Sequence, residues 1–255
     1  MKRVLITGAA GNLGSKLARH LQGRYELRLL DIKQGDNPAI IQADLGQWDT
    51  YWTSQFQDVD TVVHLAANPN PTPPWADLIE SNMDSVFNVF TAAAQADVRR
   101  VVFASSNHAM GQYKDLAEPA VLTTAIPPRP GTRWERNGRR GDSTPYGAMK
   151  LMGERMGKCF ADAYPLSVIA VRIGWAQHGE NTPAQMAPAV EDWFRLMWLS
   201  DRDFCQLMER CIETDLGAIR FAVVNGMSNN SGMRWDIEYA RQLLGYAPQD
   251  DVTQS

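Results

Sequence analysis

Cysteine is scarce in this chain: Cys159, Cys205 and Cys211 are the only three in 255 residues, and no two form a CxxC pair. So small and odd a set excludes a disulfide framework and a cysteine zinc site. It reads as buried small hydrophobes, with a reactive thiol as the other reading. An excess of one charge is also lacking. Lys and Arg total 25 against 29 Asp and Glu, giving a net charge of −4 and a pI near 5.6. No basic footprint therefore marks a nucleic acid or an anionic membrane as partner. Long hydrophobic runs are absent too. The amino terminus reaches Gly8 before a signal-peptide core or a membrane span is complete, which predicts a cytoplasmic protein with no membrane partner. No metal-ligand cluster stands out. What is present is ordinary for a folded protein: 44% hydrophobic and 21% charged residues exclude disorder, and the length fits one large domain or one domain with a small annex.

Short β-rich runs alternate with helix-length segments through the first half. Arg3–Thr7, Glu26–Asp31, Ile40–Asp44, Thr61–Leu65 and Val101–Ala104 read as strands, and Leu166–Ile173 and Phe221–Val224 as two more. Runs such as Val101-Val102-Phe103-Ala104 are apolar on both faces, as central strands of a parallel sheet are. Leu13–Leu21 and Trp75–Ala96 carry helical spacing, and Trp235–Leu244 reads as a last helix stopped by Gly245. The fold class is α/β, a doubly wound parallel sheet of Rossmann type. Residues 1–174 read as the dinucleotide-binding part and 175–255 as a small, mostly helical substrate region. Two stretches break the rhythm: Lys114–Ser143, rich in Pro, Gly and Arg, reads as a long surface loop, and Trp175 to about Arg195 as a second irregular region. Both follow strands, at the sheet edge where open α/β folds bind ligands.

Thr7-Gly8-Ala9-Ala10-Gly11-Asn12-Leu13-Gly14 stands between a strand and a helix. Glycine there lets a pyrophosphate approach the backbone, and the helix N-terminus offers free N–H groups. Asp31, ending the next strand, can accept from both ribose hydroxyls and would repel a 2′-phosphate, so the cofactor expected is NAD. Lys33 nearby leaves NADP as a minor reading beside that of a solvated turn lysine. Asp44, with Leu45, can accept from the adenine amino group or serve as a turn aspartate. Tyr146-Gly147-Ala148-Met149-Lys150 places a phenol and an ammonium one helical turn apart on one face.

These residues in this order resemble the short-chain dehydrogenase/reductase superfamily, in its extended NAD-dependent epimerase/dehydratase branch. That branch carries TGxxGxxG, a strand-end Asp, a serine and YxxxK, here Thr7–Gly14, Asp31, Ser106 and Tyr146/Lys150. His64-Leu65-Ala66-Ala67 is similar to the branch's HLAA segment beside the cofactor. The likeness spans about residues 2 to 250 and narrows further. Ser105-Ser106-Asn107-His108, Val171-Arg172-Ile173-Gly174 and Trp198-Leu199-Ser200-Asp201-Arg202-Asp203-Phe204 resemble segments of uronate dehydrogenases.

The resemblance implies Gly8, Ala10, Gly11, Asn12, Leu13, Gly14, Asp31, Asp44, Leu45, Leu65, Ala66 and Ala67 as cofactor contacts, joined by Tyr146 and Lys150. It implies Ser106, Tyr146 and Lys150 as catalytic residues. The phenol is expected to be pulled down from its usual pKa by Lys150 and the cofactor, so that Tyr146 takes a proton while Ser106 orients the reacting hydroxyl. Ser106, Asn107, His108, Trp175 and Arg195 are candidate substrate contacts, Arg195 for a carboxylate. His108 is equally readable as structural, and Trp175, Trp193 and Trp198 as sugar platforms or packing residues. Where uronate dehydrogenases place serines against the sugar, this chain has Pro69 and Trp175. The arginines of 114–143 read as a second anion site or as solvated. The activity implied is oxidation of a uronic acid or related sugar to a lactone with NAD. Relatives commonly assemble as homo-oligomers. Two alternatives stay open: a nucleotide-sugar epimerase or dehydratase that retains NAD, and a non-catalytic NAD-binding regulator.

Overall fold

A computed structural model describes residues 1–136, 138–186 and 191–254. Residues 187–190 of the second irregular region lie outside these, as do the side chains of Arg136 and Arg139. Seven strands form one parallel sheet: β1 (Arg3–Thr7), β2 (Glu26–Asp31), β3 (Ile40–Gln42), β4 (Thr61–His64), β5 (Arg100–Ser106), β8 (Ser167–Ile173) and β9 (Phe221–Gly226), in the order β3-β2-β1-β4-β5-β8-β9. β6 (Arg133–Arg136) and β7 (Arg139–Asp142) make a separate antiparallel hairpin. The order reverses direction between β1 and β4, so the carboxyl ends of those two strands flank a crevice.

Alternate strand residues feed two cores. Val4, Ile6, Val63, Val102 and Val171 face α1 (Asn12–Leu21), while Leu5, Val62, Val101, Phe103 and Val168 face the opposite layer. That opposite layer includes the short α2 (Thr50–Thr53) and α3 (Ala76–Ile79), followed by α4 (Ser85–Gln95) and α5 (Thr144–Ala163). The helix expected over 75–96 is interrupted by a π turn at Glu80–Asp84. The turn sends Asn82 to the loop after β4, where its amide accepts from Asn68 N at 2.7 Å and donates to Asn68 O at 3.1 Å. α5 lies close on β5 because its sheet-facing positions are small. A Cβ on Gly147 would sit 2.5 Å from His108 O, and one on Gly153 2.4 Å from the Phe103 ring.

After Gly174 the chain forms the short α6 (Asp192–Arg195), α7 (Asp201–Glu213), β9 and α8 (Glu238–Leu244). Leu207, Met208 and Cys211 of α7 and Leu244 of α8 join the α1-side core. The carboxy-terminal region is thus woven into the Rossmann layers. Its Trp198–Phe204 segment is a staple: Ser200 Oγ caps α7 by accepting from Asp203 N, and buried Asp203 accepts from Ser228 Oγ, Gln249 N and Asp250 N.

Two expectations need correction. The stretch 114–143 is not a free surface loop: Leu122 is fully buried, exchanging backbone bonds with Arg234 O and Asp236 N, and Gly131 N donates to His108 O at 2.8 Å. Its proline-rich composition concealed backbone pairing with segments remote in sequence. Nor are all the cysteines buried. Burial pushes the Cys205 and Cys211 thiols up to about 12, but Cys159 is exposed on α5. Among the described residues, no helix is long and apolar enough to cross a membrane.

Candidate active site

Two adjoining cavities occupy the carboxyl edge of the sheet. The first, about 850 Å³, is bordered by Gly8, Ala10, Gly11, Asn12, Leu13 and Gly14 after β1, by Asp31 at the end of β2, and by Asp44, Leu45, Leu65, Ala66 and Ala67. The second, about 620 Å³, is bordered by Ser106, Asn107, His108, Tyr146, Lys150, Trp175 and the hairpin's Trp134 and Glu135. Leu13, Leu65, Ala67, Pro69, Ala176 and His178 border both, so the two are halves of one cleft.

The glycine loop shapes the first half by closeness of backbone. Gly8 has φ +71°, and a Cβ on Gly14 would lie 2.0 Å from Gly8 O, so only glycine lets α1 start hard against the loop. Gly11 caps α1 with no side chain accepting from the first turn, leaving those N–H groups to a ligand. Asp31 is steered by two loops, accepting from Ala10 N of the glycine loop at 2.9 Å and from Lys33 N at 3.0 Å. Asp44 takes the turn role, accepting from Gly46 N at 3.0 Å, and also borders the cavity. With Asp77 and Glu80 also bordering this half, four carboxylates face Lys33 there. Free helix N–H groups, a glycine cradle and a carboxylate for ribose hydroxyls are the donor and acceptor set that a dinucleotide without a 2′-phosphate requires. His64 sits beneath, its Nδ1 2.7 Å from Thr7 Oγ1; full burial, helped by the Lys150 charge, pushes it down to about 3.

The second half collects the chemical groups. Ser106 ends β5, and its Oγ accepts from His108 N at 3.2 Å. Tyr146 and Lys150 rise from the first turns of α5 onto the same spot. Lys150 Nζ lies 5.6 Å from the Tyr146 ring centre and donates to Ala104 O at 2.9 Å. Burial pushes Lys150 down to about 8. The phenol moves against expectation: burial pushes it up to about 12, and only the Ser106 hydroxyl pulls the other way. Desolvation of the phenolate outweighs the Ser106 hydrogen bond. Asn107 borders the chamber while its amide donates to Ile173 O at 3.1 Å, tying β5 to β8. His108 Nδ1 lies 2.7 Å from Ser143 Oγ, which takes the Thr132 N–H at 2.8 Å and finds Thr132 O only at 3.4 Å. The hydroxyl proton is therefore assigned to His108 Nδ1, leaving Nε2 as the protonated ring nitrogen. Burial pushes this histidine down to about 4, so it is neutral.

Not every expected contact is gathered here. Arg195 is outside the chamber lining, its guanidinium held on Asp192 Oδ1 at 2.9 Å. Trp198 is buried, donating to Asn181 Oδ1 at 2.7 Å, and Trp193 packs on Trp235 with ring centres 4.4 Å apart; of the three tryptophans only Trp175 borders the chamber. The hairpin's Arg133 and Arg140 pair with Asp142 and Glu135 in solvent, the solvated reading of that stretch. Sequence reasoning missed Trp134, Glu135, Glu191 and Phe194, all of which border the chamber. It also missed the buried pair beneath it, where Arg172 binds Glu154 through two contacts of 2.8 Å and Ser105 Oγ donates to Glu154 at 2.6 Å. Among the described residues, no group of three or more His, Cys, Asp or Glu could hold a metal ion.

The chain is similar, over nearly its whole length, to proteins of known activity. It is 34% identical to an NAD-dependent glucose-6-phosphate dehydrogenase of Haloferax volcanii, covering 97% of this chain and 93% of the relative. It is 32% identical to an L-arabinose 1-dehydrogenase (NAD(P)+) of the same organism, covering 98% of each. The crystal structure of uronate dehydrogenase from Agrobacterium tumefaciens superposes with a TM-score of 0.78 at 28% identity, covering 99% of this chain and 86% of that one. Residues 4–189 match the model of one family. The chain belongs to the NAD dependent epimerase/dehydratase family, and the cofactor that its glycine cradle and Asp31 suit is NAD.

Proposed function

We propose that this protein is a sugar dehydrogenase that oxidises the anomeric hydroxyl of a free sugar to a lactone. One observation carries the reading: Ser106, Tyr146 and Lys150, brought from β5 and α5, meet in a chamber that opens directly into the dinucleotide half of the cleft. Three relatives named as dehydrogenases of glucose 6-phosphate, L-arabinose and uronate support it, and one of those names specifies carbon 1.

In this reading Tyr146 is the general base. Its phenol stands buried at about 12, roughly 3 kcal/mol in favour of the neutral form compared with water. NAD, when bound, accepts the hydride from carbon 1 and brings positive charge into the cleft. Lys150 adds its own charge beside the ring, and Ser106, already the one group favouring the phenolate, holds the sugar hydroxyl and the developing carbonyl oxygen. The hydroxyl proton passes to Tyr146 Oη as the C–H pair leaves as hydride, so the sugar loses two electrons and two hydrogens. Neutral His108, with Nε2 protonated, donates a hydrogen bond to the sugar without adding charge.

The test is growth of NADH absorbance on adding NAD and a panel of aldoses and uronic acids, with Tyr146→Phe alongside. The wild type forms NADH, and the variant loses 10²- to 10⁴-fold in kcat, the usual span of general base catalysis, while still binding NAD. Tight NAD retention with no net NADH would instead indicate an epimerase cycle.

A further inference from the structure

The chamber has a lopsided lining. Three aromatic rings from distant segments meet along one side: Trp134 of β6 stands edge-to-face with Phe194 of α6 at 6.4 Å between centres, and Phe194 with Trp175 after β8 at 6.1 Å. Glu191, at the head of α6, brings a carboxylate to this wall, while Glu135, next to Trp134 on β6, turns its carboxylate to the strand's other face and onto Arg140.

Among the described residues bordering the chamber, Lys150 is the only lysine or arginine, and it is buried, donating one of its three N–H groups to Ala104 O beside the reacting groups. The partners of the two glutamates stand outside the lining. Arg140 reaches Glu135 at 3.0 Å from solvent, and Lys114 is shared between Glu191 at 3.0 Å and Asp115 at 3.3 Å. Arg195, the residue offered by resemblance for a substrate carboxylate, is taken by Asp192. An ionised carboxylate can only accept hydrogen bonds, so it suits sugar hydroxyls and repels a second carboxylate or a phosphate. An anion seated against this wall would give up hydration there and, among the described residues, meet only arginines and lysines already paired with a carboxylate. The C–H face of a pyranose ring, by contrast, suits an aromatic wall.

Resting on the sugar dehydrogenase reading, we infer that the substrate is an aldose without a charged substituent, seated on the Trp134–Phe194–Trp175 wall. Glu191 sets that preference by accepting sugar hydroxyls and turning anionic sugars away.

The experiment uses matched sugars that differ only in charge: glucose, glucuronate and glucose 6-phosphate, and the galactose set beside them so that hydroxyl stereochemistry is not mistaken for charge. Two readouts are taken on the full chain, kcat/KM for NADH formation and binding to the protein–NADH complex by tryptophan fluorescence. The neutral sugar of at least one set is expected to exceed both its anionic partners at least tenfold in kcat/KM. Glu191→Gln removes that carboxylate and leaves Lys114 with Asp115 alone, and is expected to close that gap at least tenfold, mainly through KM for the anions. Trp175→Ala is expected to raise KM for the neutral sugar at least tenfold. In the wild type, an anion that equals or exceeds its neutral partner in both sets overturns the inference, and so does a gap that Glu191→Gln leaves unchanged. If no sugar yields NADH, the dehydrogenase reading fails, and the order of binding to the NADH complex still decides the matter of charge. Tighter neutral sugar upholds it; tighter anion, or no binding at all, overturns it.

Discussion

The two halves of the cleft are built in opposite ways. The dinucleotide half takes its glycine cradle from one short stretch, Gly8–Gly14 after β1, mostly backbone and small residues, and completes it with Leu65–Pro69 after β4, Ala43–Gly46, residues of 76–85 and Asp31, aimed by the amides of Ala10 and Lys33. The sugar half is side chains from four distant segments: Ser106–His108, the β6–β7 hairpin, the start of α5 and the stretch from Gly174 to Met197. A ligand met by N–H groups needs a local turn, so a few consecutive residues suffice. A ligand distinguished by its hydroxyls needs side chains from several directions, which only long-range packing can hold.

That contrast can be broken at either half. The largest effect is expected from Gly14→Ala: a Cβ 2.0 Å from Gly8 O must push α1 off the loop, so NAD affinity falls by at least a hundredfold, read as loss of the NAD-induced rise in melting temperature. In the sugar half the corresponding anchor is hidden below the site. Glu154→Ala strands the buried Arg172 guanidinium, which also touches Met110 Sδ at 3.2 Å, and breaks the tie to Ser105. A cost of about 3–5 kcal/mol, seen as a fall in Tm of roughly 10 °C, is expected. In the folded fraction kcat should drop while the Kd for NAD stays put.

A smaller effect comes from acid. His64 and His108 are held by burial at about 3 and about 4, below their unfolded value near 6.5. Between those values the unfolded chain binds protons that the folded chain refuses, so stability is complete above about pH 6.5 and drains away as pH falls toward 4. From pH 7 to pH 5 each histidine is expected to cost about 2 kcal/mol. Urea midpoints at the two pH values check this: His108→Asn should remove about half of the acid loss, and an unchanged slope would show that His108 is protonated in the folded protein.

Most of what sequence reasoning reached belongs to the local half. β1 and β2 fall on Arg3–Thr7 and Glu26–Asp31 as their apolar runs indicated, and the glycine loop, Asp31, Tyr146 and Lys150 are where their motifs placed them. The rest was illegible for a physical reason. Trp134 and Glu135 sit on a short hairpin whose strands, Arg133–Arg136 and Arg139–Asp142, are charged rather than apolar, and no spacing links Glu154 on α5 to Arg172 on β8. Asp203, read as part of a substrate-region motif, proves to hold the chain's last turns in place. Arg195 carried a plausible charge at a plausible distance along the chain, but Asp192, three residues earlier, takes it up within one helical turn.

The central claim is that hydride leaves the anomeric carbon of a free sugar for NAD while Tyr146 takes the hydroxyl proton. The most direct test is an aldose deuterated at carbon 1, with the cofactor recovered and weighed by mass spectrometry. The account predicts one deuterium in the reduced cofactor, a slowed single turnover, and no transfer in Tyr146→Phe. Reduced cofactor without label would place the oxidation at another carbon and contradict it.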